Sequence, residues 1–367
     1  MTHPHTTSAP SSPQLSDAAG PTPPGIGGRE LPRPAAPKLL TCSTSADFLA
    51  ALPRLVGFTA PNSVFLVLFS GARAQCTVRV DLPPDERPAT LKEYVDEFEH
   101  RLRGAQLAYG ASAPAIVISS EQTFRDAQGM PWRRLAKLLD RRLARAGQRP
   151  RELCCQAPDA WASLYDPAQP RLGRPLSEIA SSSVAGPPPP SLAELSAFRA
   201  PAPTELAEVA RAAARLREAG ATAEPAESRA ACEAAVAALF APNPWSPEGC
   251  ASLLLALGSD LGWTMAFDEL ASIAALDGAA AEAGIAAAAT QLSSIVPFAG
   301  PDAHGRIATL CALAWWVRGL ESVAHAQLTE VLEREPELAV ARLARRIVDT
   351  GAFVSAGQRA AGAGFAS

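Results

Sequence analysis

Residues able to do chemistry are few and scattered in this chain of 367 residues. Arg79 and Asp81 lie two apart, so on a strand they share a face, about 7 Å from one another along it. Asp81 closes that strand just before Pro83, and the C-terminal ends of strands are where open α/β sheets place ligands. Ser119, Ser120 and Glu121 close the next predicted strand and can approach the same edge. The five make a candidate ligand site of one cation, two carboxylates and two hydroxyls, suited to a polar small molecule or to proton transfer. The competing account is a structural ion pair beside ordinary loop residues.

The sharpest charge feature follows. Arg133, Arg134, Lys137, Arg141, Arg142, Arg145, Arg149 and Arg151 stand against one acid, Asp140. Five of them, Arg133, Arg134, Lys137, Arg141 and Arg145, form a candidate basic patch able to meet phosphates or an acidic partner. The plainer account is a solvated helix face whose last-turn arginines complement the helix dipole. A net charge of −4 argues against a surface built wholly for nucleic acid.

Other chemistries lack their residues. No GxGxxG or GxxxxGK[ST] occurs, and Gly57 follows a helix and precedes a strand, the reverse of a phosphate-cradling loop. The histidines beyond the N-terminal segment are His100, His304 and His325, giving a nucleophilic triad little support. No CxxC, HxxxH or HExxH spacing is present, so neither a metal nor a cofactor is expected. The seven cysteines are odd in number and mostly set in apolar stretches, which reads as buried thiols.

These residues need elements to hold them. Ser45 is a candidate cap for a helix carrying Phe48, Leu49, Leu52, Leu55 and Val56, ending at Gly57. Val64 to Phe69 is an unbroken apolar strand, which implies cover on both faces. Cys76 to Leu82 alternates and predicts the return arm of a hairpin. Thr90 and Glu93 read as a capping box opening a helix striped by Leu91, Tyr94, Val95, Phe98 and Leu102, with Gly104 and Gly110 at its end. A strand through Ile118, a helix over 132–146 and a strand over 151–156 then alternate, favouring parallel pairing, and Trp161 to Tyr165 can fold back across Pro158 and Asp159. Beyond residue 203 the pattern is helical throughout. The final pair carries Gly319, Ala324, Leu328 and Pro336 at spacings similar to half a tetratricopeptide unit, which two packed helices explain equally well.

The fold class is therefore a layered α/β sheet domain followed by an all-α domain, α+β overall. The expected division is a disordered Pro/Ser-rich tail over 1–40, the α/β domain over 41–166, a Pro-rich linker over 167–203, the helical domain over 204–352 and a flexible tail over 353–367. The first 37 residues hold nine prolines and four glycines, and no apolar run approaches the roughly 20 residues of a membrane span, so the expected location is the cytoplasm.

One resemblance adds to this reading. The run Leu52, Pro53, Arg54, Leu55, Val56, Gly57, Phe58 with Pro61, Asn62, Ser63 and Val64, then Val78 to Pro83, Trp161 to Tyr165 and Ala314 to Gly319, resembles an actinobacterial domain-of-unknown-function family, number 4192. In that family the Trp-x-x-x-Tyr segment is followed by cysteines, whereas here Tyr165 leads to Asp166, Pro167 and Ala168, so redox or metal work by such cysteines is not implied. The family brings no activity with it. The expected function is thus a non-catalytic cytoplasmic protein binding an unknown protein or small molecule. An enzyme acting at the strand ends is the alternative, and weak nucleic-acid binding through 132–151 a further one.

Overall fold

The unbroken apolar run becomes the most enclosed strand of the fold. In the computed structural model, which describes residues 42–71, 73–109, 113–242, 244–276 and 278–350, β1 (Ser63–Ser70) is buried from Ser63 through Leu68. It pairs antiparallel with β2 (Arg73–Asp81) on one side and with β3 (Ala115–Ser119) on the other. β3 pairs in parallel with β4 (Glu152–Gln156), which pairs antiparallel with β5 (Trp161–Ser163), giving the order β2-β1-β3-β4-β5. The expected parallel pairing is confined to β3 and β4. Between β2 and β3 the chain crosses over β1, so those two strands run the same way with an antiparallel strand inserted between them.

Alternation along each strand sends side chains to two different cores. Val64, Leu66 and Leu68 of β1, with Ile116, Ile118, Leu153 and Cys155, meet the stripes of α2 (Pro88–Tyr109) and α3 (Arg133–Arg145): Leu91, Val95, Phe98 and Leu102 from one, Leu135, Leu139 and Leu143 from the other. Phe65, Val67, Val117 and Cys154 face the opposite way, onto Phe48, Leu49 and Leu52 of α1 (Ser45–Val56). Cover on both faces, expected from the apolar run, is present.

Two helix starts differ from their sequence signatures. Thr44, not Ser45, caps α1: its hydroxyl accepts the Asp47 N–H at 3.1 Å while the Asp47 carboxylate accepts the Thr44 N–H at 3.1 Å. Helix α2 begins at Pro88 rather than at a Thr90–Glu93 box, because proline is preset for the first helical position and Asp85 accepts the Arg87 N–H at 2.9 Å just before it. The same helix runs through Gly104 to Tyr109.

Residues 167–203, expected as a Pro-rich linker, form a strap with structure of its own. Two short helices, α4 (Ser177–Ala180) and α5 (Leu192–Ser196), carry Leu176, Ile179, Leu192 and Leu195 onto the α1 side of the sheet. Thr59 donates its N–H to Pro190 O at 3.0 Å and accepts from Leu192 N–H at 2.8 Å, fixing the strap to the loop before β1. Leu192, Leu195 and Leu320 also pack against the core of the helical half, so one small contact set serves both halves.

That helical half comprises α6 (Pro203–Ala221), α7 (Pro225–Leu239), α8 (Pro247–Gly258), α9 (Asp260–Ala274), α10 (Ala279–Ile295), α11 (Pro301–Val317), α12 (Glu321–Arg334) and α13 (Ala339–Thr350). Helix α11 is apolar nearly all round and is its centre, buried on every side from Ile307 to Trp316. Among the described residues one stretch, Ala279–Phe298, is long and apolar enough to span a membrane by length and composition. Here Ala288, Ala289, Leu292 and Ile295 from it lie in the helical core, and Ile285 is buried. The expected tails over 1–40 and 353–367 lie outside the described residues.

The strap leaves the sheet through Gly173, whose φ of 80° is left-handed and whose absent side chain would sit 2.6 Å from Ala160 Cβ and 3.0 Å from Phe124 Cδ1. Gly173→Ala combines a left-handed penalty with overpacking, and is expected to lower the unfolding free energy by about 2–4 kcal/mol, read from urea midpoints.

Candidate functional site

Register decides which of the strand-end residues meet. Ser63 lies opposite Asp81 on β2 and opposite Ser119 on β3, and Ser119 lies opposite Gln156 on β4. The C-terminal ends of β2, β3 and β4 therefore share one edge of the sheet, as expected. Neighbouring strands stand about 4.8 Å apart, so Asp81 and Ser119 are separated by the whole of β1. Arg79 is largely covered and forms an ion pair with Asp81, while its Nε donates to Ser63 Oγ at 2.8 Å. Glu121 turns to Asn62 instead: the Asn62 amide donates to Glu121 Oε2 at 2.7 Å, and Asn62 Oδ1 accepts the Glu121 N–H at 3.0 Å. Ser120 is buried, with its hydroxyl accepting the Gln122 N–H at 3.0 Å. Four of the five expected site residues thus have at least one bond within the edge, while the Asp81 side chain stays 77% exposed.

Asn62 is the residue the sequence did not single out. It is left-handed, with φ 51°, a conformation asparagine tolerates well, and this lets its side chain reach across to the β3 exit. Tyr94 comes to the same neighbourhood from α2; its hydroxyl is buried without a hydrogen-bond partner, and burial, with Asp81 second, pushes its pKa up.

A second polar cluster lies at the opposite end of the sheet. The Glu152 carboxylate accepts from Ser45 Oγ, from Ser163 Oγ at 2.7 Å and from Leu153 N–H at 2.9 Å. Ser45 and Glu152 are 107 residues apart, so no local spacing could have announced the pair. Cys154 lies beside them. Burial, then the Glu152 charge, holds its thiol well above the ordinary range, so it stays protonated. Burial also raises Cys155 on the other face, Cys250 to about 12 and Cys311 to about 12. The exposed Cys42 departs from the buried-thiol reading. Among the described residues no group of three His, Cys, Asp or Glu side chains could hold a metal ion.

The basic helix divides cleanly. Arg142 is engaged, with Nε donating to Glu99 at 2.8 Å and Nη2 to Asp96 at 2.8 Å. Glu99, also paired with Arg103, is 8% exposed and ties α2 to α3. Arg149 reaches Asp140 at 3.5 Å and lies over the Tyr165 ring, and Arg151 donates to Gly71 O at 2.7 Å. Arg133, Arg134, Lys137, Arg141 and Arg145 are all exposed, and none forms a hydrogen bond or ion pair with a described residue. The sequence-derived patch is the unpaired set.

A cleft of about 620 Å³ opens in the helical half between α6, α8 and the start of α11, lined by Leu206, Val209, Ala213, Leu254 and Phe298 with Arg217 and Asp302 among them. Nothing in the sequence marked it, because its walls are residues that read as ordinary helix stripes.

The sequence profile of a family described as a domain of unknown function (DUF4192) matches residues 46–352. The chain belongs to this family. The match takes in the sheet, the strap and the helical half, so the DUF4192 unit is the whole arrangement described above rather than either half. No curated protein and no solved structure matches it.

The Arg142 hydrogen bond, with Arg103 beside it, holds the Glu99 carboxyl below the usual carboxylate range. A depressed folded-state pKa contributes stability that is present above the unfolded value of about 4.3 and lost as pH falls through the folded one. Glu99→Gln should therefore lower the melting temperature at neutral pH, and the gap from wild type should close progressively below about pH 4.3 in a pH series of thermal melts.

Proposed function

We propose that this DUF4192 chain is a non-catalytic cytoplasmic binding protein of an actinobacterium, acting by presenting surface to a partner rather than by transforming a substrate. One observation carries the reading: three of the polar side chains at the ligand-favoured edge of the sheet, Arg79, Glu121 and Ser120, already have partners within the fold. Arg79 is held by Asp81 and Ser63, Glu121 by Asn62, and Ser120 by its own turn. A general base or a substrate clamp needs a group with bonding capacity left over in the free protein. The buried thiols, held protonated, supply no nucleophile either. The arginine bias, only three lysines among 33 basic residues, supports the assignment of source.

A small-ligand variant of the same reading is favoured by the cleft of about 620 Å³, which falls within the size range of pockets for small molecules. Its apolar walls suit an apolar compound.

Thermal shift separates binding from strand-end chemistry. A ligand at about 100 times its Kd stabilises the native state by about 2.7 kcal/mol, so a screen of nucleotides, metabolites and apolar compounds is read directly as a rise in melting temperature. Asp81→Asn is expected to cost about 1 kcal/mol or less, as for a largely exposed ion pair, and to leave every ligand-induced shift unchanged. A polar metabolite whose shift disappears in Asp81→Asn moves the ligand site to the strand ends, and turnover of that metabolite overturns the non-catalytic reading.

A further inference from the structure

Five cations on α3, unlike Arg142, pair with no described residue. Arg133, Lys137, Arg141 and Arg145 form a row at four-residue spacing, so three like-charged neighbours follow one another on a single helix face, and each such contact is mildly destabilising. Arg133 and Arg134 occupy the first two helical positions, at the positive end of the helix dipole, and the first turn has no acid of its own. The nearest relief comes from outside, where the Glu86 carboxylate accepts the Leu135 N–H at 3.2 Å. Of these five only Arg145, in the last turn with Arg142, sits where the dipole welcomes it.

The face is also fully outward. At about 100° per residue the five cations occupy an arc of about 120°, opposite Leu135, Leu139 and Leu143, which enter the core. The arginine just beside the arc finds acids, so unpaired charge is not a general habit of this helix: Arg142 takes Asp96 and Glu99.

From this we infer that α3 is a docking face for an acidic helix of a protein partner. The inference rests on the binding-protein reading above and names its surface. Successive cations in the row stand about 6 Å apart along the axis, since four residues rise by that distance. A helix carrying Glu or Asp at the same four-residue spacing repeats its charge with the same period and meets the row in register. The surroundings disfavour a nucleic acid. The stripe is bounded by Arg142, whose charge is already taken by Asp96 and Glu99, so a wide polyanion reaching past the arc there meets a closed ion pair. The arc holds no aromatic side chain for a base to stack on, since Trp132 packs against the core.

The test uses the full chain and three labelled probes in fluorescence anisotropy: an alanine-based helical peptide with Glu at four-residue intervals, the same peptide with Gln at those positions, and a short DNA duplex. The Glu peptide is expected to bind at low salt, the Gln peptide not to. Raising salt from about 50 to about 200 mM should weaken binding several-fold, and Lys137→Gln with Arg141→Gln should weaken it about tenfold or more. That double variant should melt no lower than wild type, since it removes like-charge contacts, so lost binding cannot be attributed to unfolding. Arg229→Gln, a change at an exposed ion pair on α7, should bind as wild type does. Absence of Glu-peptide binding, binding the double variant retains, or tighter binding of the duplex each overturns the acidic-helix assignment. None of these touches the ligand screen, on which the broader reading stands or falls separately.

Discussion

Burial of β1 on both faces is the constraint from which the rest of the arrangement follows. A strand enclosed from Ser63 through Leu68 needs a partner layer above and below, and the chain supplies α2 and α3 on one side and α1 with the strap on the other. Once those layers are filled, register is no longer free, because a slip of one residue would exchange Val64, Leu66 and Leu68 for Phe65 and Val67 between two cores of different shape. Fixed register brings Asp81, Ser63, Ser119 and Gln156 into a line across four strands. The polar edge is a by-product of packing, and its hydrogen bonds seal it.

The two halves share apolar residues where they meet. Leu192, Leu195 and Leu320 contribute to both the α1-side core and the helical core, while the Thr59 bridge fixes the strap beside them. Gly57, left-handed at φ 86°, ends α1 with a Cβ position 3.4 Å from Leu320. A side chain larger than hydrogen at that residue would be strained by its left-handed backbone. The opening turn of the α/β half is thus also part of its junction with the helices, which accounts for a family profile that spans both.

Much of this was legible in the sequence, and what was missed has a common cause. Periodicity two in Val78, Val80 and Leu82 and periodicity 3.6 in Leu91, Val95, Phe98 and Leu102 translate directly into faces, because burial is what the pattern encodes. Helix starts were less secure. Thr44 rather than Ser45 caps α1, since both residues can cap and the choice depends on where the chain enters. The four prolines at 187–190 look like a spacer, but the residues that anchor the strap, Leu192 and Leu195 after them and Leu176 and Ile179 before them, are too sparse to register as a pattern. The Glu152 cluster and the Asn62–Glu121 clamp join residues distant in the chain, and no local rule reaches across such separations.

The candidate sites part company for an electrostatic reason. At the sheet edge the charges are close, of opposite sign and partly covered, so each finds its partner within the fold: Arg79 is 15% exposed at its side chain and lies against Asp81. On α3 the five cations share one sign and one solvent-facing arc, and the acids within reach have already been taken by Arg142 and Arg149. A fold can neutralise the first arrangement internally but not the second. Charge that folding leaves unneutralised, placed against the helix dipole and repeated every four residues, is charge available to another molecule. Sequence alone does not separate the two sites on this ground, because it counts residues of each sign without showing which pairs have closed.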